Sequence, residues 1–147
     1  MRVSVIGGSS VTDAEYATAR DLGVELAERE HTVVCGGLGG VMEAVCRGAS
    51  EAGGETIGIL PTDRVADANP YVTTPIATGL GHARNALVVQ NGAAVIAVDG
   101  GGGTLSEIGY GNVYDRPIAG LGTHDVTGVE ACETPSEAVA YVERTTR

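Results

Sequence analysis

Six short apolar runs alternate with longer stretches of helical periodicity, and this alternation restricts the fold more than any other feature. VSVIGG from Val3, TVVCGG, ETIGILP, YVTTPIATG, AAVIAV and PIAGLG read as strands. Pro61 stops the third, and Pro75 confines the fourth to a sheet edge or an irregular run. Between them the period changes to that of a helix. Thr12 and Asp13 offer an N-cap for a helix to about Arg29, with Tyr16, Ala19, Leu22 and Leu26 on one face. GVMEAVCRGASEAGG is a second helix, closed by a glycine pair. Thr62 to Pro70 is a polar loop. GHARNALVVQNG reads as a helix ending at Gly92, GTLSEIGYGNVY as a further one, and Ser136 opens a last helix, SEAVAYVERTTR. Strands alternating with helices imply a sheet buried on both faces. The expected fold is therefore α/β: one Rossmann-like domain over residues 1–147, a doubly wound, mainly parallel sheet between helices.

The apolar runs are too short to span a bilayer, and MRVSVIGGSS runs directly into a strand and a turn instead of resembling a signal peptide. A cytoplasmic protein with no membrane partner is the expectation. A net charge of -10 argues against nucleic acid as a partner, because phosphate backbones require clustered cations. All nine cations are Arg, with no Lys. Such an acidic, lysine-free surface resembles that of halophilic proteins, where salt screens self-repulsion; a GC-rich genome would favour Arg as well. Cys35, Cys46 and Cys132 lack CxxC spacing, and His31, His82 and His124 are scattered, so free thiols and no metal site are expected.

Glycines gather where these strands end: Gly7 and Gly8, then Gly36, Gly37, Gly39 and Gly40, then Gly100 to Gly103. In open α/β sheets ligands bind beyond the carboxyl ends of the strands. Each cluster leads into a helix, whose free N–H groups attract anions without any lysine. Strand-to-helix turns also hold glycine for purely conformational reasons, but three clusters on one sheet edge point to a phosphate cradle. Neither GxGxxG with a following acidic residue nor GxxxxGK[ST] occurs, which excludes the dehydrogenase fingerprint and the P-loop.

GGLGGVMEAVCRGASEAGGETIGILP, followed by TGLGHARNALVVQNGAAVIAVDGGGGTLSE, resembles the LONELY GUY superfamily from about Val3 to Leu121. One branch of that superfamily cleaves the N-glycosidic bond of nucleoside 5′-monophosphates; another includes molybdenum cofactor carriers. Arg84-Asn85, Thr78-Gly79 and Asp99 in place of the hydrolases' Pro resemble the carrier-like branch. The resemblance implies a bound nucleotide monophosphate or molybdopterin-type ligand, with no further cofactor required, held by Gly8, Ser9, Ser10, Gly36, Gly37, Gly39, Gly40, Met42, Thr78, Gly79, Arg84, Asn85, Gly101, Gly102, Gly103, Thr104 and Glu107. Leu38 is expected beside the heterocycle with Met42. In the hydrolases the matching Arg84 and Glu107 are the catalytic pair, so these two carry the enzymatic alternative; a vestigial site on an assembly domain is a third reading. A homodimer or higher homo-oligomer is implied too, with Tyr110 and Tyr114 as interface or core residues.

Several of these residues have local readings. Arg84 suits bidentate phosphate binding or balances nearby acids. Thr104-x-x-Glu107 matches a capping box as well as a site carboxylate. Ser9 and Ser10 offer hydroxyls to a ligand or to a helix end. Asp99 is a second carboxylate or a loop cap.

Overall fold

A computed structural model describes residues 1–146. Seven strands form one sheet, every pair parallel: β1 (Arg2–Gly7), β2 (Thr32–Cys35), β3 (Thr56–Leu60), β4 (Thr74–Ala77), β5 (Ala94–Val98), β6 (Ile118–Leu121) and β7 (Val129–Ala131). Their order across the sheet is β4-β3-β2-β1-β5-β6-β7. The helices are α1 (Asp13–Glu28), α2 (Val41–Glu51), α3 (Asn85–Gln90), α4 (Gly102–Val113) and α5 (Pro135–Thr145). None is long and apolar enough to cross a membrane.

Parallel strands buried on both faces must be apolar throughout, and β5 is: all five of its residues are buried. Successive side chains alternate between two cores. Ala94, Ile96 and Val98 join the larger core with Leu22 and Leu26 of α1, Val45 of α2 and Val139 of α5. Val95 and Ala97 join a smaller one with Val88 of α3 and Ile108 of α4. Tyr114 packs against this smaller core.

The differences from the expected elements have local causes. GHARNALVVQNG divides into a 3-10 turn at Gly81–Arg84 and the six-residue α3, so Arg84 stands at a junction. β7, which no apolar run announces, is a three-residue edge strand with only Val129 half-buried. The last helix begins at Pro135, one residue before Ser136; Thr134 caps it by accepting from the Glu137 amide at 3.2 Å, and Pro fits the first turn, where no amide donor is needed. Its expected end at Arg147 lies outside the described residues. Within the Thr62–Pro70 loop, Val65–Asp67 forms a further 3-10 turn.

Candidate functional site

The strand order reverses between β1 and β5, the place where loops leave to opposite faces of a parallel sheet. From β1 the chain enters α1 on one face; from β5 it enters α4 on the other. A cavity of about 310 Å³ opens at this divergence. Gly8 and Ser9 form one wall, Gly36, Leu38 and Met42 a second, Arg84 and Asn85 a third, and Gly101 to Thr104 with Glu107 the fourth.

α4 presents a bare N-terminus to this cavity. Its N-cap is Gly101, which makes no side-chain cap bond, so the amides of the first turn are donors without a helical partner. The Thr104-Glu107 pair is accordingly not a capping box: Thr104 lies inside the first turn and Glu107 in the second, both buried. The true capping box is Thr12 with Glu15, where each side chain meets the other's backbone amide at 3.2 and 3.0 Å. Ser106 braces the α4 turn, donating to the Gly103 carbonyl at 2.6 Å and accepting from the Asn85 amide nitrogen at 3.2 Å.

Arg84 is 7% exposed, and its guanidinium is committed to the protein. Its Nε donates to the Ile59 carbonyl at 2.8 Å, one terminal nitrogen to the Gly36 carbonyl at 3.3 Å, and the other to Asn85 Oδ1. These bonds tie the ends of β2 and β3 to α3. Two of its five N–H donors remain, so a free fork gripping a phosphate bidentately is not what this arginine offers. Gly36 is required beside it: a Cβ there would lie 2.6 Å from the guanidinium and 2.7 Å from the Met42 sulfur.

Glu107 is 8% exposed, and no described residue hydrogen-bonds to its carboxyl. Burial raises its pKa to about 8, and the nearby Arg84 charge offsets that only in part. Burial also lowers Arg84, against the opposing pull of Glu107 and Cys35. Among the described residues no ion-pair contact joins the two side chains. At neutral pH Glu107 is therefore mainly a neutral carboxylic acid facing the cavity, able to donate one hydrogen bond and accept others.

Of the residues expected at the site, Gly8, Ser9, Gly36, Met42, Arg84, Asn85, Gly101, Gly102, Gly103, Thr104 and Glu107 line this cavity, as does Leu38. Ser10, Gly37, Gly39, Gly40, Thr78 and Gly79 do not. Gly40 instead joins two loops: at φ +66° it sits where a Cβ would be 2.2 Å from the Gly8 carbonyl oxygen. Thr78 closes a corner, donating to the Leu60 carbonyl at 2.6 Å. Asp99 belongs to a separate cavity of about 270 Å³ with Glu15, Cys132 and Glu133. His82, which no motif marks in the sequence, lines the site two residues before Arg84 on the same 3-10 turn. Cys35 and Cys46 are buried free thiols 3.5 Å apart, and Cys132 is a free, half-buried one. Among the described residues no three His, Cys, Asp or Glu side chains converge as a metal site.

The SLOG cluster4 family model matches residues 1–147. An uncharacterized protein of Archaeoglobus fulgidus is 40% identical over 96% of this chain and 93% of its own length. A cytokinin riboside 5′-monophosphate phosphoribohydrolase of Arabidopsis thaliana is 33% identical over 80% of this chain and 56% of its own length. Among solved structures, the molybdenum cofactor binding protein of Rippkaea orientalis superposes with a TM-score of 0.91 at 31% identity, over 97% of this chain and 95% of that one. The molybdenum cofactor carrier protein of Chlamydomonas reinhardtii does so with a TM-score of 0.84 at 30% identity, over 97% and 94%. With its Rossmann-like sheet, its glycine-walled cavity and these relatives, the chain belongs to the SLOG cluster4 family of the LONELY GUY superfamily, on the side of the molybdenum cofactor carriers.

Proposed function

We propose that this protein binds and carries a small phosphorylated heterocycle, of nucleotide or pterin type. The observation that carries the reading is the cavity at the strand-order reversal where the bare α4 N-terminus lies beside the buried Glu107, whose carboxyl has no hydrogen-bond partner among the described residues. The α4 amides receive the phosphate, with Thr104 and Ser9 hydroxyls beside them. Arg84 supplies positive potential and holds the cavity walls in place, and its two uncommitted donors remain for the ligand. Leu38 and Met42 provide apolar surface for the ring. The carrier and binding-protein relatives support this assignment.

The phosphoribohydrolase reading has a specific support: Glu107 and Arg84 share the cavity, and the Arabidopsis relative is such an enzyme. Its chemistry needs an anionic carboxylate to stabilise an oxocarbenium-like ribosyl centre. A carboxyl titrating at about 8 is mostly neutral at pH 7, and Asp99, the other candidate carboxylate, lines a different cavity. These facts favour holding the ligand over cleaving it.

The test is direct. Protein purified in molar KCl is denatured, and the released small molecules are identified by mass spectrometry, with equilibrium dialysis against nucleoside 5′-monophosphates alongside. An intact phosphorylated heterocycle near one per chain, or saturable dialysis binding, is expected. An empty protein that also binds none of them would overturn the reading.

Self-association is part of the same proposal. Leu105 and Val113, 44% and 72% exposed on α4 on either side of Gly109, form an apolar strip suited to a second copy. Light scattering should give a dimer or larger assembly, and Val113→Glu should reduce its mass; a monomeric wild type would overturn this part.

A further inference from the structure

The glycine turn at the head of α4 has a cavity on each side. Beyond the inner one lies a second depression of about 510 Å³, and His82, Asn85, Gly102 and Gly103 wall both. Its far end is formed by Ser106 and Tyr110, on successive turns of α4. Tyr110 is 37% exposed and is backed by Tyr114, their rings stacked with centroids 6.0 Å apart and planes 16° from parallel. At 1.5 Å per residue Tyr110 lies roughly 12 Å along the helix axis from Gly102.

A mononucleotide whose phosphate rests on the α4 amides leaves this outer cavity with nothing to hold. A ligand that continues past its phosphate would cross the turn where His82, Gly102 and Gly103 line both cavities, the two glycines carrying first-turn amides with no helical acceptor. Those donors suit an anion spread over two phosphates. Beyond them the first flat surface is Tyr110, and aromatic rings of either kind stack regardless of base identity. Glu107, partnerless and 8% exposed, marks the inner end as a ligand cavity independently of the helix terminus.

We propose that the two cavities form one site for a dinucleotide-type ligand, two heterocycles joined through a pyrophosphate. The first ring lies by Met42 and Glu107, the pyrophosphate crosses Gly102 and Gly103 beside His82, and the second ring stacks on Tyr110. The proposal rests on the inner cavity being the phosphorylated-heterocycle site. It does not use the dehydrogenase fingerprint, which the chain lacks.

Calorimetric titration with matched pairs tests it: AMP against NAD+, and FMN against FAD. In at least one pair the dinucleotide should bind about tenfold or more tightly than its mononucleotide. Tyr110→Ala should abolish that gain, and Tyr110→Phe, which keeps the ring, should retain it. Equal affinity within both pairs, or a gain that survives Tyr110→Ala, would overturn the outer subsite alone. No binding by any of the four probes would overturn this proposal, while the inner-cavity reading falls only if the purified protein also carries no phosphorylated heterocycle.

Discussion

Two cavities flank the carboxyl end of β5, and both contain carboxylates, yet they treat them in opposite ways. On the α4 side Glu107 stands alone, buried, without a hydrogen bond, and titrates at about 8. On the α1 side Glu15 and Asp99 face each other in the open. The backbone amide of Thr12, and then its neighbour Asp99, lower Glu15, while the proximity of Glu15 raises Asp99. Both groups are only partly buried, and Glu15 accepts from the Thr12 amide at 3.0 Å. Among the described residues Glu107 has no hydrogen-bond partner, only the charge of Arg84 nearby. A group whose desolvation the fold compensates only in part is the mark of a candidate binding cavity, and this contrast is what singles out the α4 side for the proposed site.

The comparison can be broken most severely at Arg84. Arg84→Met removes the donors to Ile59 and Gly36 and the charge opposing Glu107's burial. It should cost about 3–5 kcal/mol in urea unfolding and abolish ligand binding. A loss below about 1 kcal/mol would show that the guanidinium does not hold these walls together.

Glu107 makes a signed prediction. Its native pKa is raised from 4.5 to about 8, so between those values the native state holds a proton that the unfolded chain has released. Stability from this group is thus full below 4.5 and falls through the window as pH rises, by roughly 1.4 kcal/mol per pH unit. Glu107→Gln should flatten that part of the pH profile. A wild type whose urea midpoint does not decline across the window more steeply than the variant's would contradict the neutral carboxyl.

Gly36→Ala is expected to be milder than the loss of Arg84, because its Cβ meets side-chain atoms, of which the Met42 thioether can shift although the bonded Arg84 guanidinium is held. About 1–3 kcal/mol of destabilisation is expected, with ligand affinity reduced. A fully stable variant with normal affinity would show that the β2 wall has slack. Smallest should be Asp99→Asn in the other cavity. At φ +51° Asp99 occupies a backbone region that Asn also tolerates, so the change should move stability by under about 0.5 kcal/mol and leave ligand binding intact. Loss of binding there would erase the distinction between the two cavities.

Much of this was legible in the order of residues. AAVIAV sits centrally because a strand with no polar alternation must be covered on both faces, and β1, β2 and β3 end where their glycines and Pro61 place them. Gly101 to Gly103 and Glu107 reach the cavity because a strand end and the helix that follows it are local geometry. What sequence could not convey depends on long-range contacts. Arg84 spends its donors on Ile59, 25 residues earlier, and on Gly36, 48 residues earlier. Asp99 adjoins the glycine run yet shares a cavity with Glu15 of α1, and His82 joins the site through a 3-10 turn where periodicity alone gives an ordinary helix. β7 was invisible because three residues with one half-buried apolar side chain carry no pattern. Thr104-x-x-Glu107 misled because α4 begins two residues earlier, at glycines that need no side-chain cap.

The fate of the ligand separates holding from cleaving most directly. Wild type and Glu107→Gln are incubated in molar KCl with a panel of nucleoside 5′-monophosphates, and free base is followed by chromatography. A carrier with a neutral Glu107 should release no base from any member of the panel and return the nucleotides whole. Base release by the wild type that disappears in Glu107→Gln would make this protein a phosphoribohydrolase and contradict the assignment.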